Sequence, residues 1–122
     1  MGLTRRSKFA TFGRVWIVET LNASVDAELE ALPDDVLARL HRVVGLIETY
    51  GLARVGEPHL GHLEGPLWEL PLGGMGPLAC AALVHVTARR RRVVVVGVVV
   101  KSVRRTPRRQ IGFALARARE LR

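Results

Sequence analysis

Apolar positions along this chain follow two rhythms, and the change between them divides the sequence. Val36, Leu37, Leu40, Val43, Val44 and Ile47 repeat at helical spacing and form one buried stripe. Arg39, His41, Arg42 and Glu48 fall between them, towards solvent. Asp34 and Asp35 suit the start of this helix and Gly51 its end. A shorter helix is predicted just before it, capped by Ser24 and burying Val25, Leu29 and Leu32. Asp26 and Glu28 are favourable near its positive end, and Pro33 breaks it and opens the next. The two make a helical hairpin.

After residue 51 the pattern is that of strands. Leu67–Leu70 is short and aromatic, and Pro71 with Gly73-Gly74-Met75-Gly76 ends it. Leu78–Val86 and Val93–Val100 are continuously apolar, as in central strands covered on one or both faces. Arg89–Arg92 is the turn between them, and Gly97 marks a bulge or a close backbone approach. A first strand is predicted at Val15–Val18. Thr106 as N-cap and Pro107 at the first position open a last helix, whose stripe is Ile111, Ala114, Leu115, Ala118 and Leu121. The order β-α-α-β-β-β-α describes one α+β domain with an antiparallel sheet over residues 14–122, preceded by a basic arm at 1–13.

Composition narrows the class. With 122 residues, 48% of them hydrophobic and 25% charged, the chain has room for one core and is too apolar for a disordered protein. Its longest apolar stretches, Pro77–Val84 and Val93–Val100, are far below the roughly 20 residues of a membrane span. No apolar segment suited to a signal peptide follows the basic N-terminus. The lone Cys80 excludes an internal disulfide and agrees with a reducing compartment, so a cytoplasmic location without membrane attachment is expected.

The net charge of +8 is unevenly placed. Residues 89–122 carry twelve Arg and Lys against one acid, Glu120, whereas residues 1–88 are net acidic. A cationic surface this concentrated points to a phosphate-bearing partner, and a solvated Arg-rich surface is the plainer alternative.

Individual motifs are weaker. His59 and His62 lack the further ligands of a zinc site, and no cofactor or metal is implied. His85 lies inside an apolar strand, as a packed sheet residue or as an acid–base group if its face meets substrate. The glycine cluster lacks a phosphate-loop ending and reads as a turn. Trp68 anchors a core or stacks on a base. Lys101 ends the last strand next to Arg104 and Arg105, either to meet a phosphate or as a charged strand terminus. No nucleophile triad, paired carboxylate or dinucleotide fingerprint is present.

Three segments together resemble one family. Ala31-Leu32-Pro33-Asp34-Asp35-Val36 through Tyr50-Gly51 resembles its helical hairpin. Leu63-Glu64-Gly65-Pro66-Leu67-Trp68-Glu69-Leu70 resembles its signature stretch. Val99-Val100-Lys101-Ser102-Val103-Arg104-Arg105-Thr106-Pro107 resembles its strand-to-helix end. These are the marks of the phage-derived HigB/RelE-like toxins of type II toxin–antitoxin systems. The resemblance implies a microbial-ribonuclease-like fold, a small antiparallel sheet with two helices packed on one side. It implies a metal-independent endoribonuclease that enters the 30S A site, cuts mRNA there and inhibits translation. It also implies a cognate helix-turn-helix antitoxin as partner. On this basis Lys101, His85, Arg92 and Arg104 are the expected catalytic residues, and Arg89, Arg90, Arg91, Arg105, Arg108 and Arg109 the expected RNA-binding ones. The chain departs from its relatives at Pro71 and at Ala81-Ala82, where they carry arginines, and at Ser102, where a second lysine often follows Lys101. A degenerate toxin fold that binds RNA, the ribosome or antitoxin without cleavage is the alternative. A DNA-binding subunit is a third, which no helix-turn-helix pattern supports.

Overall fold

The structure, a computed structural model, describes residues 15–55, 60–102 and 105–121. The basic arm predicted at 1–13 lies outside these residues. The elements are β1 (Ile17–Thr20), α1 (Ala23–Glu30), α2 (Asp34–Tyr50), α3 (Leu52–Val55), β2 (Gly61–Glu64), β3 (Leu67–Met75), β4 (Leu78–Thr87), β5 (Arg92–Lys101) and α4 (Arg108–Ala118). A single 3₁₀ turn, Ala88–Arg90, joins β4 to β5. No helix among the described residues is long and apolar enough to cross a membrane.

The strands form one sheet in the order β1-β5-β4-β3-β2. The antiparallel sheet read from the sequence is corrected here, because β1 runs parallel to β5 and only the other pairs are antiparallel. β5 returns beside β1 after the helices and a meander, and a parallel neighbour needs such a long crossover. β2 was not legible, since Gly-His-Leu-Glu has little strand preference. Its pairing with β3, Gly61 opposite Glu69 and His62 opposite Trp68, creates it. β3 also continues past the predicted stop at Leu70. Pro71 is tolerated because β2 accompanies only Leu67–Glu69, which leaves the rest of β3 as an edge.

Alternation along the strands assigns every side chain to one of two faces. On one, Val25, Leu29, Val36, Leu40, Val43, Val44 and Ile47 of α1 and α2 pack against Val18, Leu70, Leu72, Ala82, Val84, Val93 and Val95. On the other, Ile111, Ala114 and Ala118 of α4 cover Leu67, Ala81, Leu83, Val94, Val96 and Val99. The hairpin packs on one side, as expected, and α4 closes the opposite side. The continuous apolar runs are therefore central strands covered on both faces.

Three polar devices join helices to sheet. Asn22, not Ser24, caps α1 by accepting from Val25 N at 3.0 Å, because Asn22 has the extended backbone a cap requires. Glu48, expected at the surface, is buried, since the chain entering β1 crosses the end of α2 and Val15 N donates to Glu48 O at 2.7 Å. In β3 a bulge places Leu72 between Pro71, opposite Ala81, and Gly73, opposite Cys80. Arg39 of α2 donates to Leu72 O at 2.7 Å, and Gly73 sits at φ +94° where an added Cβ would lie 2.1 Å from Arg39 Nη1.

The bulge supplies a test. Gly73→Ala is expected to lower unfolding free energy by about 1–3 kcal/mol, the range for a non-glycine residue forced into a sparse backbone region. Because the strain is in the backbone, most of the loss persists in an Arg39→Ala background. Urea denaturation of the single and double variants checks this, and full rescue by Arg39→Ala would assign the effect to the side-chain clash alone.

Candidate functional site

The sheet face under α4 carries the predicted site residues, but at opposite ends. Glu69 and Pro71 of β3, Ala79, Ala81, Leu83 and His85 of β4, Arg92, Val94, Val99 and Lys101 of β5, and Glu19 of β1 share it by register. Lys101 stands opposite Ala79 and His85 opposite Val94. Six residues of β4 separate Ala79 from His85, about 20 Å at roughly 3.3 Å per residue. The structure thus does not bring Lys101 together with His85 and Arg92. Arg104 lies outside the described residues.

At one end Lys101 is 8% exposed and fully engaged. Its Nζ donates to Glu69 Oε1 at 3.0 Å and to Thr106 Oγ1 at 2.8 Å. Thr106 Oγ1 donates in turn to the same carboxylate oxygen at 2.5 Å. Thr106 was expected to cap the last helix; Pro107 takes that position instead, and the threonine hydroxyl is spent on the ion pair. Beside the pair lies a cavity of about 320 Å³ lined by Glu69, Pro71, Gly73, Ala79, Cys80, Ala81 and Lys101. Apart from Glu69 and Lys101 its walls are small and apolar, and burial pushes the Cys80 thiol above its ordinary pKa, away from thiolate chemistry at neutral pH. A cation already neutralised by a carboxylate holds the start of α4 to the sheet better than it holds a phosphate. Glu69 was missed as a functional residue. A carboxylate in a strand that is otherwise apolar was the available signal, since a buried charge demands a partner.

At the other end His85 and Arg92 sit at the root of the β4–β5 connection. Arg92 Nη2 donates to Glu19 Oε1 at 3.1 Å, while Arg92 Nε and His85 Nδ1 are buried with no hydrogen-bond partner. Burial, and then the Arg92 charge, hold the His85 imidazole below its ordinary pKa; contact with its own backbone opposes this without reaching hydrogen-bond geometry. The imidazole is accordingly neutral at physiological pH and able to accept a proton. Arg89, Arg90 and Arg91 lie exposed in the connection above it, Arg91 in the left-handed conformation that turns the chain into β5. Of the remaining predicted RNA contacts, Arg105 and Arg109 are exposed, and Arg108 pairs with Glu64 across the start of α4.

Two outcomes follow. Lys101→Met, which strands Glu69, is expected to destabilise the fold by about 2–4 kcal/mol, whereas Lys101→Met with Glu69→Leu costs clearly less. Chemical denaturation of both variants measures the difference, and equal losses would refute the coupling. For His85 the folded pKa is depressed, so the unfolded chain binds the extra proton first as pH falls. This group's contribution is complete above about 6.5 and is lost below it, down through the folded value. NMR titration of the ring should place its midpoint under 6.5 and move it upward in Arg92→Gln.

A search among curated proteins finds no match to this chain. A family model does match, with the description Phage derived protein Gp49-like (DUF891), over residues 27–119. That span takes in the second half of α1, all of α2, strands β2 to β5, the basic turn and α4, so Glu69, His85, Arg92 and Lys101 fall inside it while β1 with Glu19 lies before it. The chain is a member of the phage-derived Gp49-like family.

Proposed function

We propose that this protein is the toxin of a type II toxin–antitoxin module, cytoplasmic, and directed at mRNA on the ribosome. The observation that carries the reading is the corner where a neutral imidazole and a half-buried guanidinium meet beneath three exposed arginines. Membership of a phage-derived family and the resemblance of its ordered segments to HigB/RelE-like toxins support the same assignment. The arginines Arg89, Arg90 and Arg91 grip the phosphate backbone. His85 takes the proton from a ribose 2′-hydroxyl, and the freed oxygen attacks the adjacent phosphorus. A 2′,3′-cyclic phosphate forms as the phosphorus–5′-oxygen bond breaks, and the leaving oxygen acquires a proton from water. Arg92 balances the charge that grows on the phosphorane. A helix-turn-helix antitoxin neutralises the toxin by covering this basic surface.

A second reading, binding without cleavage, is favoured by the Lys101 end. There the cation is neutralised by Glu69, and Pro71 and Ala81 leave the cavity wall apolar. Mapping new mRNA 5′ ends by primer extension after expression separates the two. The cleaving toxin is expected to arrest growth and generate codon-phased ends, with His85→Ala lowering cleavage by roughly 10²–10⁴-fold, the usual worth of a general base. Growth arrest and ribosome association with no new ends would establish the binding reading instead. Replacing Arg89, Arg90 and Arg91 by alanine should weaken RNA binding and flatten its salt dependence by up to about three phosphate contacts in either case.

A further inference from the structure

The face of α4 turned away from the sheet carries an aromatic ring that no core uses. Phe113 is 57% exposed, the highest value among the large hydrophobic side chains of the described residues, on a helix otherwise rich in arginine. Arg109 lies one turn before it, and Gly112 and Ala116 flank it with almost no side-chain bulk. Arg105 just ahead of α4, Arg109 within it and Arg119 at its end are exposed and make no ion pair among the described residues. Glu120, past the end of α4, takes a long 3.5 Å bond from Asn22 Nδ2, and Glu28 is held by Arg117.

The ring does not swing freely. Arg117 lies with Cζ 4.7 Å from the centroid of Phe113 and covers one face. Arg117 is itself locked, donating from Nη1 to Val96 O at 2.8 Å and from Nη2 to Glu28 Oε2 at 2.6 Å. Val96 is the extra residue of a bulge in β5, between Gly97 opposite Leu83 and Val95 opposite Val84. An exposed phenylalanine held by a fixed guanidinium, among unpaired cations and beside two small residues, is a preorganised surface. An apolar protein partner would favour a wider apolar patch and fewer unpaired cations. Single-stranded nucleic acid needs the combination seen here, cations for the backbone and an open π-face for a base.

We infer that the outer face of α4 is a stacking platform for single-stranded RNA, with Phe113 stacking on one unpaired base and Arg105, Arg109 and Arg119 holding the flanking phosphates. The inference rests on the RNA-directed reading above and adds a surface separate from the His85 corner. It makes the protein prefer unpaired over duplex RNA, because a paired base offers no free face to the ring.

The test measures binding of the full chain to a fluorescent single-stranded RNA of about 12 nucleotides, and to its duplex form, by anisotropy. Phe113→Ala and Phe113→Leu are expected to weaken single-strand binding about five- to a hundred-fold with duplex binding unchanged. Phe113→Trp is expected to keep the affinity, and its fluorescence to be quenched when RNA is added. Thermal melts show that the exposed substitutions leave the fold intact. If Phe113→Ala binds single strands like the parent while replacement of Arg89, Arg90 and Arg91 weakens binding, the platform is refuted and the RNA reading stands. If the parent binds neither form, the RNA reading falls and the platform with it. If Phe113→Ala loses only a protein partner, such as a co-expressed antitoxin, the face is a protein interface and the inference is overturned.

Discussion

The middle of β4 and most of β5 are buried on both faces, and that constraint governs where chemistry can sit. Helices α1 and α2 occupy one side and α4 the other, so the central positions are filled by Val, Leu and Ala with Cys80 and Gly97. Polar groups survive only where the covering helices run out. Lys101 meets Glu69 where α4 begins, and His85 with Arg92 occupies the corner next to the connecting turn. A charged side chain placed midway would have to find a partner in a packed interior, where an unpaired ion is several kcal/mol out of place. The separation of the two polar ends is therefore a product of core packing.

Much of the positive charge is structural. Lys101 fastens β5 to β3 and to the segment leading into α4, Arg117 ties α4 to β5 through the bulged carbonyl of Val96 and to α1 through Glu28, and Arg39 anchors α2 on the bulge of β3. Lys101 satisfies a carboxylate and a hydroxyl, and Arg117 and Arg39 each satisfy a bulge carbonyl that regular pairing leaves open. This suits arginine, whose fork reaches two acceptors at once, as Arg117 does. What remains for a polyanion is the turn at Arg89–Arg91 and the solvent side of α4, not the whole basic third of the chain.

The sequence made helices and central strands legible because their signals are local and periodic. The stripe from Val36 to Ile47 and the apolar runs in β4 and β5 needed only side-chain spacing, and Gly97 announced its bulge by lacking a side chain. β2 was hidden because its residues have little strand preference of their own, and the parallel direction of β1 because it depends on a partner distant in sequence. The site was less legible than the fold for the same reason. Lys101 looked like a free cation until Glu69, thirty-two residues away, was seen to hold it. His85 and Arg92 were both expected at the site, but their place at the end of the sheet face away from Lys101 depends on strand register. Phe113 drew no notice because it falls outside the buried stripe of α4, and position outside that stripe is what exposes it.

The parallel pairing of β1 with β5 has a consequence for how the chain comes to be folded. Ile17 stands opposite Arg92 and Thr20 opposite Val95, so the first strand waits for a partner made some 75 residues later. Until then the α1–α2 hairpin can form on its own, but the surface it must cover is missing, and the valine strand emerges with α4 still unmade. Closing so long a loop is slow relative to local pairing. During synthesis the apolar strand is consequently exposed before its second cover exists, which makes completion of α4 the event that ends the vulnerable period of the nascent chain.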